Sequence, residues 1–301
     1  MRRAWRSNSW AAAFGGCCMV AACLAGGRAV GGVVESPTAL RLAVELDRQR
    51  DHAGAAVEFQ RLALDAPEPA ARAGYYWAAA YEYWKTRKYD LADSMLNRAD
   101  SASDALGPAL PLLRGENAAA RALPAEAQFY LEDAVRAADA ADLQALAARR
   151  LAAERVKQQD LAGARQALEA APTTCTNGQS ALLTYGAGHD KSVVLGGVLG
   201  IVPGLGYAYS GEYASALRSL ILNGLFLFGV ADTADKEEWG ACAVIGFFEF
   251  TWYTGSIYGG IDAADRYNRQ RLDDCVRGVN GASGFAPDFE RLPLLSLRVT
   301  F

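Results

Sequence analysis

One spacing constrains this chain more than its composition does. Between Ser36 and Ala171 a small residue recurs with an apolar residue four positions later: Ala55 with Phe59, Ala92 with Leu96, Ala127 with Leu131, and Ala164 with Leu168. The small anchors stand 37, 35 and 37 residues apart. Ala99, Ala134 and Ala171 repeat the small position in the later copies, and the first copy closes at Pro67. The segment is rich in Ala, Leu, Glu and Arg, good helix formers, with almost no alternating strand pattern. A small residue lets one helix approach its neighbour closely. A large apolar residue one turn later fills the gap to the next pair, and each pair leaves a face for its successor to bury.

This pattern resembles the tetratricopeptide repeat, a helix–turn–helix unit of about 34 residues. The second copy matches best, with Tyr76, Ala79, Ala80 and Tyr83 on its first helix. The third matches least, because Pro108 and Pro111 open it and Arg114 stands where Leu is usual. The resemblance implies a solenoid of about four repeats over residues 36–171. A non-repeating helical bundle is the competing reading.

The first 29 residues read as an export signal: Arg2, Arg3 and Arg6, an apolar stretch from Trp10 to Leu24, then small residues at Ala25, Gly27 and Ala29. Val20-Ala21-Ala22-Cys23 has the form of a lipoprotein box with Cys23 as the lipidated residue, and ordinary cleavage is the alternative. Arg2-Arg3 with Trp5 resembles a twin-arginine signal, and an uncleaved anchor is a further alternative; every route but the uncleaved anchor places the mature N-terminus outside the cytoplasm. Residues 172–191, with Thr173, Asn177, Gly178, Gly186 and Gly188, read as a linker.

Residues 192–261 read as membrane-embedded. The run from Val193 to Tyr209 is broken by Pro203, Gly204 and Gly206, which suits a re-entrant or interfacial segment. The runs Ala214–Ala231 and Gly240–Ile261 carry single charges, Arg218 and Glu249, and are long enough to span. A pairing of Arg218 or Asn223 with Glu249 is expected, since an isolated charge in lipid is costly. Small residues at Gly196, Gly200 and Gly204, at Ser215, Ser219 and Asn223, and at Gly255 and Gly259 mark close helix contacts and a route to homo-oligomers.

The stretch Pro203-Gly204-Leu205-Gly206-Tyr207-Ala208-Tyr209-Ser210-Gly211 resembles the PGLGQxYxG motif of bacterial membrane-hairpin families, with Tyr207 in place of the usual Gln. Some of these proteins resemble this chain further, through Gly255-Ser256-Ile257-Tyr258-Gly259-Gly260 and Tyr267-Asn268. The resemblance implies an architecture and an envelope location, not an activity. The residues themselves predict a tight turn, with Tyr207, Tyr209 and Tyr213 at the membrane interface.

Catalysis finds little support. The only histidines are His52 and His189; His52 is expected to be solvated, and His189-Asp190-Lys191 implicates no nucleophile. Gly204-x-Gly206 lacks the third glycine and the βαβ setting of a dinucleotide site. None of the six cysteines forms a CxxC pair, and the net charge of −4 without a basic stripe argues against nucleic acid. No cofactor or metal is expected. Cys175 and Cys275 flank the apolar runs, and an exported chain with two crossings would let them form a disulfide. Arg266, Arg269 and Arg271 after the last run pull towards three crossings, but Pro203 and the glycines leave the first run too short and broken to cross, which favours two and the Cys175–Cys275 disulfide.

The expected binding surface is the inner face of the repeats. Trp77, Tyr81, Trp84 and Lys85 share one helix stripe, and Arg48, Arg149 and Lys157 fall on equivalent faces. Such a face suits an extended peptide or an acidic chain terminus. The tail, residues 262–301, ends Leu295-Ser296-Leu297-Arg298-Val299-Thr300-Phe301, whose alternation resembles the closing strand of an outer-membrane barrel; with no other barrel strands evident, a short edge strand or a disordered tail is expected. The sequence thus predicts an all-α protein: a tetratricopeptide-like solenoid followed by a membrane-embedded hairpin. The expected role is a non-catalytic envelope scaffold whose repeats bind a protein partner. An accessory subunit of a membrane transport or insertion machine is the rival.

Overall fold

The computed structural model describes residues 38–171, 175–289 and 295–300. The export signal over 1–29, with Cys23, lies outside them. The chain divides into two compact units: residues up to Ala147 together with those from Ala282 onward, and Ala148 to Gly281.

In the first unit helices pack in antiparallel succession: α1 (Thr38–Arg48), α2 (His52–Asp65), α3 (Pro69–Lys85), α4 (Tyr89–Ala102), α5 (Ala109–Ala120) and α6 (Pro124–Ala137). A 3-10 turn, Asp104–Leu106, precedes α5. The next helix, α7 (Ala141–Lys157), crosses the boundary between units and leads to α8 (Leu161–Glu169) in the second. Local chemistry sets the starts. Asp51 caps α2 by accepting from the Gly54 amide at 3.0 Å, Asp160 caps α8 through Gly163 at 2.9 Å, and prolines open α3 and α6.

The repeat is written in the backbone. Arg50, Arg87, Ala122 and Gln159 all have positive φ, between 56° and 64°, again 37, 35 and 37 residues apart. Each ends a helix in the same way: the amide of the next residue bonds back to a carbonyl five positions earlier, Asp51 to Leu46, Lys88 to Tyr83, Leu123 to Ala118 and Asp160 to Arg155, at 2.9–3.0 Å. This is the left-handed C-terminal turn that satisfies otherwise orphaned carbonyls. Five residues after each such residue comes the small anchor. Ala55, Ala92, Ala127 and Ala164 are fully buried, and Phe59, Leu96, Leu131 and Leu168 are buried one turn later.

α3 is buried without a break from Ala73 to Tyr83, the mark of a central helix, and Glu82 is the one charged residue in that run. Part of its cover comes from the far end of the chain. β1 (Gly284–Pro287) and β2 (Leu297–Thr300) form an antiparallel hairpin, Phe285 opposite Val299, and belong to the first unit. The predicted terminal strand is therefore real, and its partner is the segment just before it; Phe301 lies outside the described residues.

The second unit continues with α9 (Thr176–Ala187), α10 (Val193–Leu199), α11 (Leu205–Tyr209), α12 (Tyr213–Asp235) and α13 (Trp239–Asn280). Two expectations change. The linker at 172–191 is largely helix, because Gly178 serves packing rather than a loop: a Cβ there would lie 3.1 Å from Leu168 Cδ1. The apolar run ends near Ile261, but its helix does not: α13 continues unbroken to Asn280, so the charged residues 262–280, expected as tail, belong to a 42-residue helix that packs on α9. Among the described residues one helix, α12, is long and apolar enough to cross a membrane. α10, at seven residues, is too short to do so.

Candidate functional site

Three places concentrate chemistry. The first is the predicted aromatic stripe. Trp77 is fully buried, its Nε1 donates to the Ala109 carbonyl at 2.8 Å, and its ring stacks on Tyr81 at 5.7 Å. Tyr81 is also buried, while Trp84 and Lys85 are half-buried. The expected open groove is thus corrected: Trp77 is core, and Tyr81 and Trp84 meet the chain's own tail. Phe285 sits against Tyr81 and Trp84, with ring centroids 5.8 and 6.0 Å away, and its carbonyl accepts from the Tyr81 hydroxyl at 3.2 Å. Phe289 stacks on Phe59 at 5.0 Å. The physical reason is that a solenoid face carrying this much aromatic surface is stabilised by any apolar cover, and the tail supplies it. Arg149 and Lys157 do not extend this stripe; they lie in the second unit, where Lys157 donates to Glu154 at 2.6 Å. Arg48 is exposed and lies 4.0 Å from Glu45.

Beside the stripe lies a charged network that the sequence did not disclose. Glu82, within the buried run of α3, is fully buried. Its Oε2 is 2.7 Å from His52 Nδ1, which also lies 3.3 Å from Asp47 Oδ1. Lys85 donates to Asp47 at 2.7 Å and stands 3.5 Å from Glu82 Oε1. His52 is therefore not solvated but tied into α1 and α3. Asp47, His52 and Glu82 have the donor types of a metal site, yet the Lys85 ammonium already stands among them as the neutralising cation. The signal for Glu82 was available: a lone acid among Tyr, Trp and Ala.

Burial, helped by the charge of Asp47 and opposed by Lys85, pushes the Glu82 carboxyl up to about 8. Burial likewise holds the Tyr81 phenol above its ordinary range. Because the folded carboxyl keeps a proton that an ordinary glutamate loses near 4.5, its stabilisation is complete below that pH and is lost as pH rises through about 8. Circular dichroism melts from about pH 5 to about pH 8.5 should show a fall of about 5 °C, or roughly 2 kcal/mol. Glu82→Gln, which keeps a hydrogen bond to His52 but has no proton to lose, should flatten that fall; an unchanged slope would exclude Glu82 as its source.

The third place is a glycine junction in the second unit. Gly196 on α10, Gly206 on α11 and Gly260 on α13 meet backbone to backbone: a Cβ on Gly196 would lie 2.5 Å from the Gly260 carbonyl, and one on Gly206 2.6 Å from the Gly196 carbonyl. Gly204, at φ +90°, turns the chain into α11 beneath the Ala216 carbonyl, and Gly211 turns it out at φ +85°. Pro203 closes the preceding turn and is half-buried. The Tyr209 hydroxyl accepts from the Ser192 amide at 3.0 Å. Asn268 clamps Lys191 through both backbone groups, at 2.7 and 2.9 Å, and the Lys191 ammonium lies over the rings of Tyr209 and Tyr267. Three separated stretches, the 203–211 motif, 255–260 and Tyr267-Asn268, are thus one structural junction. Of the pair Gly255 and Gly259, Gly259 packs directly against the Tyr207 side chain of α11, where a Cβ would clash, while Gly255 faces open space.

Where α12 and α13 pair, polarity is reversed relative to a water-soluble core. Ser219, Asn223, Glu249 and Ser256 are buried, with Ser219 donating to Ser256 at 3.1 Å, while Leu225, Phe228, Phe247 and Phe250 are each more than 60% exposed. The expected ion pair is not formed. Arg218 donates to the Ala214 carbonyl, and neither Glu249 oxygen has a hydrogen-bond partner. Nor is there a Cys175–Cys275 disulfide. Cys275 carries a free thiol, 3.8 Å from the Ala181 carbonyl, which burial holds protonated. Flanking positions in sequence do not fix the short Cα separation that a bridge demands. His189 is exposed, and its neighbour Asp190 pairs with Arg271, so no acid–base pair forms there.

These features define a helix-pair repeat protein joined in sequence to a glycine-packed helical module. The chain matches no known family model, no curated protein and no solved structure.

Proposed function

We propose that this protein is a non-catalytic scaffold of the bacterial envelope. Its tetratricopeptide-like repeats bind a protein partner, and its α12–α13 hairpin, with the short α10–α11 segment as a re-entrant element, anchors the complex in a membrane. The observation that carries the reading is the reversed polarity of α12 and α13. Water would not tolerate Leu225, Phe228, Phe247 and Phe250 outward while Asn223 and Glu249 lie inward, whereas lipid favours that arrangement. The recurring helix-pair turn supports the repeat half, since stacked pairs present extended surfaces for protein segments. The full-length protein, expressed in a bacterium with an envelope, should stay with membranes through alkaline carbonate extraction and require detergent for release. Recovery in the carbonate supernatant would overturn the anchor.

A further inference from the structure

The aromatic face of α2 and α3 is occupied by a segment unlike the rest of its unit. The other elements described in the first unit are helical; the occupant is extended over Gly284–Pro287, and it returns to this unit only after the chain has built the second one. It contacts the helices as a bound peptide would. Two aromatic residues four positions apart, Phe285 and Phe289, rest on Tyr81 and Trp84 and on Phe59 respectively, and one main-chain carbonyl accepts from the Tyr81 hydroxyl.

We propose that the β1–β2 hairpin is a self-ligand. The face it covers is the peptide-binding site of the repeats, and its ligand is an extended segment carrying two aromatic side chains four residues apart. This deepens the scaffold reading and rests on it. The hairpin is suited to leave as a unit. Its ladder bonds run between β1 and β2, so they can travel with it when it departs. Each strand has four residues, and a lone two-stranded hairpin is marginal in water. The residues linking it to α13, Gly281 to Ser283, include a positive-φ glycine that can act as a hinge. A partner must then compete with the tail, and its apparent affinity is reduced by the fraction of molecules whose face is covered.

The test uses the full-length protein in detergent and a fluorescently labelled peptide of residues 282–289. The variant carrying both Phe285→Ala and Phe289→Ala should bind the peptide at least about tenfold more tightly than the wild type. A peptide with the same two changes should not bind. If the variant melts like the wild type and gains no affinity, the tail is plain core and the proposal fails. Native-state hydrogen exchange of the unaltered protein gives a second readout, independent of how the variant folds. The β1 amides should be at least about a hundredfold less protected than those of Trp77 to Tyr83. Equal protection overturns the proposal. A halving of the wild-type protein mass on adding peptide would place a second copy's tail on the face, and that too overturns the self-ligand. None of these outcomes bears on membrane extraction, so the anchor and the peptide site fail separately.

Discussion

Trp77→Ala should unfold the first unit more readily than any other single truncation on its aromatic stripe. The side chain is fully buried, its ring stacks on Tyr81, and its indole N–H is the donor to the Ala109 carbonyl at the start of α5. Truncation leaves a cavity the size of an indole and removes the indole's hydrogen bond to that carbonyl. Large aromatic-to-alanine changes in cores cost about 3–5 kcal/mol, which for a unit of this size lowers the melting temperature by about 10–15 °C. Trp84→Ala, at a half-buried position, should cost about 1–2 kcal/mol. Thermal melts of the two variants beside the wild type decide it. Should Trp77→Ala melt normally, the residue would have to be reassigned from core to surface.

In the second unit the largest effect is expected at Gly206. A Cβ there meets the Gly196 carbonyl at 2.6 Å and the Gly260 Cα at 2.7 Å, both backbone, so no flexible side chain can move aside. Gly206→Ala must push α10 and α13 apart and disturb the seat of α11, at a cost of about 3 kcal/mol, the upper end for overpacking. Gly255→Ala is the control on the same long helix. Its Cβ would meet nothing within 4 Å, and alanine favours the helix over glycine by about 1 kcal/mol. Denaturation in detergent should therefore rank Gly255→Ala above the wild type and Gly206→Ala far below it. Similar stability for Gly206→Ala and the wild type would mean the three glycines do not meet as described.

The repeat was legible because it is a local code. Anchors at Ala55, Ala92, Ala127 and Ala164 and turns at Arg50, Arg87, Ala122 and Gln159 are set by residues a few positions apart, and helix period and small-residue contacts are local properties. The 203–211 turn was legible for the same reason, since proline and positive-φ glycine write their conformations directly. The stripe on α3 was found at the right residues but misjudged in exposure. Periodicity says which side chains share a face and is silent about what lies on it. The linker was misread because glycine serves loops and close helix contacts alike, and Gly178 is the second kind.

The sequence by itself determined the helices, their pairing into repeats, the long apolar helix and the strand-like tail, all of which follow from propensity and pattern within windows of a few turns. Only the tertiary structure decided the rest. Phe285 and Phe289 cover a face some two hundred residues away. His52, Asp47 and Lys85 gather around the buried Glu82 in one network. Gly196, Gly206 and Gly260 touch backbone to backbone, and the outward side of α12 and α13 is the apolar one. Each of these joins residues distant in the chain, and such contacts form only where packing brings the surfaces together and the burial gained outweighs the entropy of ordering them.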